Sequence, residues 1–265
     1  MKNTLKVLGC VSPYCNSSSN CPGYIYSDGI NNIMLDCGPG ICRQLNMPND
    51  LNNLSIFISH LHKDHYSEIF SLGYASYCYH RMGMLNERIK LYIPKMFPGE
   101  DGYDDYMLIM NNKDHFFEIV PYDINSKIRV GDANISFFEN KHSIRSYSTK
   151  IEAPSLTMVY TGDMGFSNID RFVEFCEGCD VLLSEATYLD CDNTVDENHL
   201  HAKEAAYIAS LVNVKELILT HFWPEHEKME YVAEATSVFS NVEAADENII
   251  IDLNEIIKES VSHHR

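Results

Sequence analysis

The run His60-Leu61-His62-Lys63-Asp64-His65 sets three imidazoles and a carboxylate within six residues, directly after the strand-like stretch Leu54-Ser55-Ile56-Phe57-Ile58. Borderline-soft divalent metals take imidazole nitrogen and carboxylate oxygen as ligands. Side chains two residues apart at a strand end point the same way, so His60 and His62 can share one ion. A following turn can carry Asp64 and His65 to a second. A few histidines on a solvated loop would leave this spacing without a reason.

Around that run the chain alternates β-branched and aromatic stretches with helical patterns. Strands are predicted at residues 5–9, 24–27, 32–36, 54–59, 89–93, 116–122, 128–130, 135–139, 147–152, 156–161, 181–184, 217–220 and 248–251. Helices are predicted at 40–45, 64–81, 168–176, 202–211 and 225–238. Apolar residues at 205, 206, 208, 209 and 211 suit a helix with one face on a sheet. The pattern points to an α/β (α+β) protein with two sheets face to face and helices outside.

His60-x-His62-x-Asp64-His65 resembles the signature of the metallo-β-lactamase-fold hydrolases, and other segments resemble the rest of that pattern in order. Asp36, in Met34-Leu35-Asp36-Cys37-Gly38, is similar to the aspartate that buttresses the site. His142, in Lys141-His142-Ser143, resembles the lone middle histidine, and Asp163, in Thr161-Gly162-Asp163, the carboxylate that bridges two metals. His221, in Thr220-His221-Phe222, resembles the last histidine. Glu185, in Leu183-Ser184-Glu185-Ala186-Thr187, and His199, in Asn198-His199-Leu200-His201, resemble the proton-handling pair of the ribonuclease Z-like branch.

The resemblance implies a four-layer αβ/βα sandwich, one domain over residues 1–265, with the metals at one edge between the sheets. Segment 94–115 then reads as a surface loop and short helix, or as a lid or dimer-contact insertion. The implied ligands are His60, His62 and His142 for one ion, Asp64, His65 and His221 for the other, and Asp163 between them. Zinc suits this histidine-rich set best, and manganese or iron fit the same mixed donors. Asp64, Glu185 and His199 are the expected catalytic residues. A hydroxide shared by two ions would attack the substrate, and His199, held by Glu185, would protonate a poor alkoxide leaving group. That pair favours phosphoryl chemistry over lactone or thioester hydrolysis, or over a non-catalytic metal-binding regulator. His201 reads as a residue preceding a helix. His80, His115, His226, His263 and His264 match no motif.

Charge narrows the substrate. With 20 basic and 38 acidic side chains the formal net charge is −18, and no lysine- or arginine-rich block offers the basic patch on which nucleic-acid affinity depends. Resemblance to ribonuclease Z would further imply a long arm between His142 and Asp163, which lie only 21 positions apart. A small phosphodiester, such as a cyclic nucleotide or phosphorylated metabolite, is therefore the expected substrate. A tRNA 3′-end endonuclease is the runner-up. The nine cysteines and the lack of a signal-like or membrane-spanning apolar run lead to an expectation of a reducing cytoplasm and no membrane partner, with a homodimer left open. Cys10, Cys15 and Cys21 and the pair Cys176/Cys179 read as buried hydrophobes rather than a metal or redox site.

Overall fold

In the computed structural model, which describes residues 3–112, 116–192, 194, 196–247 and 249–262, two seven-stranded sheets face each other. The first holds β1 (Thr4–Gly9), β2 (Gly23–Ser27), β3 (Asn32–Leu35), β4 (Leu54–Phe57), β5 (Ile89–Pro94), β6 (Phe117–Tyr122) and β14 (Ile250–Asp252), in the order β14-β1-β2-β3-β4-β5-β6. The second holds β7 (Ile128–Val130), β8 (Ala133–Glu139), β9 (Tyr147–Ala153), β10 (Leu156–Tyr160), β11 (Val181–Glu185), β12 (Glu216–Thr220) and β13 (Val242–Ala244), in the order β13-β12-β11-β10-β9-β8-β7. In the first sheet β3 to β6 run parallel, and in the second β10 to β13 do. The carboxyl ends of parallel strands share one rim, where the topology gathers residues distant in sequence.

The helices are α1 (Ile41–Gln44), α2 (Lys63–Tyr66), α3 (Ile69–Arg81), α4 (Tyr103–Asn111), α5 (Ile169–Phe175), α6 (Ala202–Val212), α7 (Lys228–Thr236) and α8 (Leu253–Ser262). Both faces of the first sheet are covered, so all four residues of β4, Ser55 included, are buried rather than alternately exposed. Phe57 turns inward, stacked on Tyr92 at 4.3 Å and near Phe137 of the facing sheet. Ile56 and Ile58 turn outward into a second core with Ile69, Leu72 and Ile109. Each such side chain contributes roughly 1.5–3 kcal/mol on burial. On the other flank, α6 buries Ala202, Ala205, Ala206, Ile208 and Ala209. The expected αβ/βα sandwich is the observed architecture. No helix among the described residues is long and apolar enough to cross a membrane.

Several boundaries differ from expectation. The helix predicted at 64–81 is two helices, because Glu68 donates its N–H to the Cys37 carbonyl at 3.1 Å and accepts the Cys42 N–H on its carboxylate. These long-range bonds replace the helical ladder at the break. The helix predicted from 225 starts at Lys228, where Glu227 and Glu230 form a capping box. Leu211 is 44% exposed rather than packed. Strand β13 and helices α4 and α8 were not delimited from sequence, and residue 248 of the last predicted strand lies outside the described residues. Within segment 94–115, α4 buries Ile109. Asp105 of α4 is paired with Lys63 of α2. Residues 113–115, with His115, and the terminal His263 and His264 lie outside the described residues.

Candidate metal centre

The shared rim carries every residue that the sequence proposed as a ligand. Asp36 follows β3, His60 to His65 follow β4, His142 follows β8, Asp163 follows β10 and His221 follows β12. The turn from β4 into α2 depends on Gly38, since a Cβ there would lie 1.8 Å from the Asp64 carbonyl oxygen. Asp36 and His221 adopt left-handed backbone, with φ of 60° and 62°. This strained conformation is rare for residues with a side chain and concentrates at functional sites.

Two donor groups result. His60, His62, His142 and Asp163 bring one ligand atom each within 4.8 Å of one another, and so do Asp64, His65 and His221. In the first, His62 Nδ1 lies 3.0 Å from His60 Nε2 and 3.1 Å from His142 Nε2. In the second, His65 Nε2 lies 3.1 Å from His221 Nε2, with Asp64 Oδ2 at 3.6 Å from His65. Asp163 faces both: Oδ1 is 3.2 Å from His65 and 3.0 Å from His221, and Oδ2 is 3.4 Å from His60 and 3.8 Å from His142.

The hydrogen bonds on the far side of each ring fix its tautomer. His142 Nδ1 donates to the Asn198 carbonyl at 3.0 Å, and His65 Nδ1 to Asp36 Oδ2 at 2.7 Å. The Ser59 hydroxyl gives its proton to Asp36, so it accepts from His60 Nδ1 at 3.0 Å. The Thr187 hydroxyl gives its proton to Glu185, so it accepts from His221 Nδ1 at 2.9 Å. In the neutral rings, all four Nε2 atoms are left as bare lone pairs. Lone pairs converging at such distances repel unless a cation lies between them. Tetrahedral zinc with ligands at ~2.0–2.1 Å spaces its nitrogens by roughly 3.3 Å. Asp163 Oδ1 is buried without a well-aligned donor. The residues present therefore fit divalent ions, and the outer partners match those that orient histidine ligands elsewhere.

Electrostatics agree. Burial above all pushes His60, His62 and His142 down to about 4, leaving them neutral and able to ligate. Burial opposes charge on His65 as well, but Asp163, Asp64 and Asp36 outweigh it and raise its pKa well above the usual range. A proton there stands where a cation would. Burial would raise Asp163, yet His221, His65 and His60 hold it well below the carboxylate range.

Beside these groups lies the expected proton-handling pair. Glu185 Oε1 is 3.1 Å from His199 Nδ1. The carboxylate also accepts the Met164 and Leu200 N–H groups and the Thr187 hydroxyl, so it is fixed in place. Burial disfavours the imidazolium of His199, but Glu185 and then Asp163 outweigh it and raise its pKa to about 9. His199 Nδ1 is 4.0 Å from Asp163 Oδ2, and Asp163, His199 and His221 form a third group of ligating type. That nitrogen already faces Glu185, so it is not free to ligate.

Several supporting residues had no signal in the sequence. The Ser12 hydroxyl donates to Asp64 Oδ2 at 2.6 Å, Tyr160 to Asp36 at 2.6 Å, and Ser143 approaches His62 at 3.4 Å. Isolated hydroxyls of this kind are indistinguishable in sequence from surface residues. His201 caps α6 with Glu204, His80 stacks on Phe116 at 3.8 Å, and His226 pairs with Asp192. None of the nine cysteines forms a disulfide, and burial pushes Cys176 and Cys179 up, away from thiolate character.

The profile of a family described as "Beta-lactamase superfamily domain" matches residues 31–222. The chain is 27% identical over 238 residues to the "Probable metallo-hydrolase YhfI" of Bacillus subtilis, covering 88% of this chain and 93% of that protein. It is 26% identical over 291 aligned positions to a ribonuclease Z of Archaeoglobus fulgidus, covering 88% and 92%. The crystal structure of YhfI superposes with a TM-score of 0.84 at 24% identity, covering 95% of this chain and 99% of that one.

Proposed function

Since the chain belongs to the beta-lactamase superfamily, we propose that it is a dinuclear metal-dependent phosphodiesterase acting on a small phosphodiester. Hydrolysis is supported by the names of its relatives, a metallo-hydrolase and a ribonuclease. The observation that carries phosphodiester cleavage is the Glu185–His199 pair, 3.1 Å apart and adjoining Asp163. His60, His62 and His142 would hold one ion, Asp64, His65 and His221 the other, with Asp163 between them. Zinc is the metal this donor set suits best. Bound there, two divalent ions supply Lewis-acid polarisation of the phosphoryl group and an activated water.

The protein's own residues supply the rest. Glu185 holds the Nδ1–H of His199, which leaves the other ring nitrogen to protonate the departing alkoxide as the phosphorus–oxygen bond breaks. The added water provides the new P–O bond and, in the end, the proton that restores His199. Asp64, fixed by Ser12, stays ionised at the reacting centre. The site draws on both sheets, which supports reading the chain as one domain.

Substrate size follows from the surroundings. From residue 147 to residue 160, all but Pro154 and Ser155 lie in the paired strands β9 and β10, so a long arm has no place there. The surface beside His142 presents Glu100, Asp101 and Glu139 against one cation, Arg145, which pairs with both glutamates. An acidic wall repels a polyanion. The similarity to a ribonuclease Z favours a second reading, cleavage at tRNA 3′ ends. A hydrolysis screen of zinc- and manganese-loaded protein against cyclic nucleotides, bis-p-nitrophenyl phosphate, precursor tRNA, lactones and thioesters tests both. Turnover confined to lactones or thioesters would refute the phosphodiesterase reading.

A further inference from the structure

Phe57 of β4 and Tyr92 of β5 are register partners whose rings stack on the face turned toward the second sheet. Two residues back on each strand, Ser55 and Lys90 are also register partners, and they share that inward face. They stand near the amino ends of their strands, at the rim opposite the metal donors. Ser55 is five residues from His60, roughly 16 Å at the rise of a strand. Here a cavity of about 210 Å³ opens between the sheets, lined by Ser55, Lys90 and Tyr92 from the first and by Val130 from the second. Ser55 is 7% exposed and Tyr92 5%, yet neither hydroxyl has a hydrogen-bond partner among the described residues. Lys90 likewise has no ion pair or hydrogen bond among them. Arg88, on the same wall, lies over the Phe116 ring and reaches the Phe117 carbonyl at 3.5 Å, with no carboxylate partner. Glu87 on the wall, and Glu118 beside Lys90 on β6, oppose these two cations. Arg129 also lines the cavity but is engaged by Asp132 at 3.0 Å.

Buried donors cost free energy unless solvent or a ligand supplies an acceptor. Two such hydroxyls beside an unpaired ammonium and a guanidinium call for an anion with several acceptor oxygens. A carboxylate offers two oxygens in one plane, whereas a phosphate offers oxygens in several directions and meets donors from neighbouring strands at once. We propose that this cleft binds a phosphate group, as orthophosphate or as a phosphomonoester, at a site separate from the metal centre. Lys90 and Arg88 supply the charge, and Ser55 and Tyr92 donate from the floor. Because Glu87 and Glu118 hold the local charge near balance, affinity rests on these direct hydrogen bonds.

The test is calorimetric titration of the full chain with orthophosphate, metal-loaded and metal-free. Phosphate held at the metal centre disappears with the metal, whereas saturable binding at the cleft persists. Lys90→Ala, at an exposed position, should weaken that persistent binding roughly 10- to 100-fold, the span of one lost hydrogen bond to a charged group. Lys90→Arg should restore most of it. Tyr92→Phe keeps the stack on Phe57 and removes only the hydroxyl, and it should weaken binding in the same direction, as should Ser55→Ala. Ribose 5-phosphate binding more tightly than orthophosphate would assign the site to a monoester, and the reverse order to the free ion; both support it. Acetate binding as tightly as phosphate would overturn the assignment. So would heat that never saturates at millimolar phosphate without metal, or an affinity unchanged in both Lys90→Ala and Tyr92→Phe. None of these outcomes depends on which ester the metal centre cleaves.

Discussion

Asp163 Oδ1 stands 3.0 Å from His221 Nε2, buried and without a well-aligned hydrogen-bond donor, while the other oxygen of the same carboxylate faces His60 at 3.4 Å. One side chain thus serves both donor groups. Elemental analysis of purified, metal-loaded protein should find two ions per chain in the wild type. Asp163→Ala should lose both, whereas His221→Ala should retain the ion of the His60 group. Full metal content in Asp163→Ala would refute the shared carboxylate.

Acid–base behaviour should separate the two groups. His60, His62 and His142 are pushed down to about 4, so metal binding to their group releases no proton near neutrality and its affinity should be flat there. His65 is raised well above the usual histidine range, so loading its group must expel a proton. That affinity should climb about tenfold per pH unit until the pKa of His65 is passed. Competitive titration of metal-free protein with a chromophoric chelator at several pH values reads both slopes. Identical slopes would contradict the division.

His199→Ala should keep both ions and the fold yet lose about 10²–10⁴-fold on diesters with alkoxide leaving groups. Activity on bis-p-nitrophenyl phosphate should fall much less, because nitrophenolate departs without a proton. Glu185→Gln should show the same bias in milder form. Loss of metal from His199→Ala would make it a ligand instead.

Asp36 accepts bonds from the Ser59 N–H and hydroxyl, from Tyr160 and from His65. Asp36→Asn tolerates the left-handed backbone but replaces one acceptor oxygen with a donor. A 10–100-fold weaker second ion is expected, the usual cost of losing a ligand's outer partner. The affinity of the His60 group should change far less. Calorimetric metal titration checks both.

Precursor tRNA should bind weakly, with a shallow dependence of affinity on salt, because the wall beside His142 offers few phosphate contacts. A filter-binding series across ionic strengths measures that slope. A steep slope with tight binding would favour the ribonuclease reading.

The metal donors were legible because chemistry ties them to short motifs at strand ends, where local pattern and function coincide. The strands were legible for a related reason. With both faces of the first sheet covered, β4 and β5 read as nearly continuous apolar runs. Elements set by long-range contacts were not. β13 is three residues of Val-Glu-Ala at a sheet edge, paired only with β12, and has little strand character of its own. The break between α2 and α3 depends on Cys37 and Cys42, more than 20 residues away. The hydroxyls of Ser12, Tyr160 and Thr187 matter through what they touch, and a linear sequence does not record touch.

Neither sheet carries a complete donor set. His60 and His62 come from the first and His142 and Asp163 from the second, and likewise Asp64 and His65 against His221. Cut in the loop between β6 and β7, the polypeptide would yield two fragments, each with half a chelator and an unprotected inner face. Reassembly of such fragments would then become a metal-titratable association, with the ions acting as the clasp of a split protein.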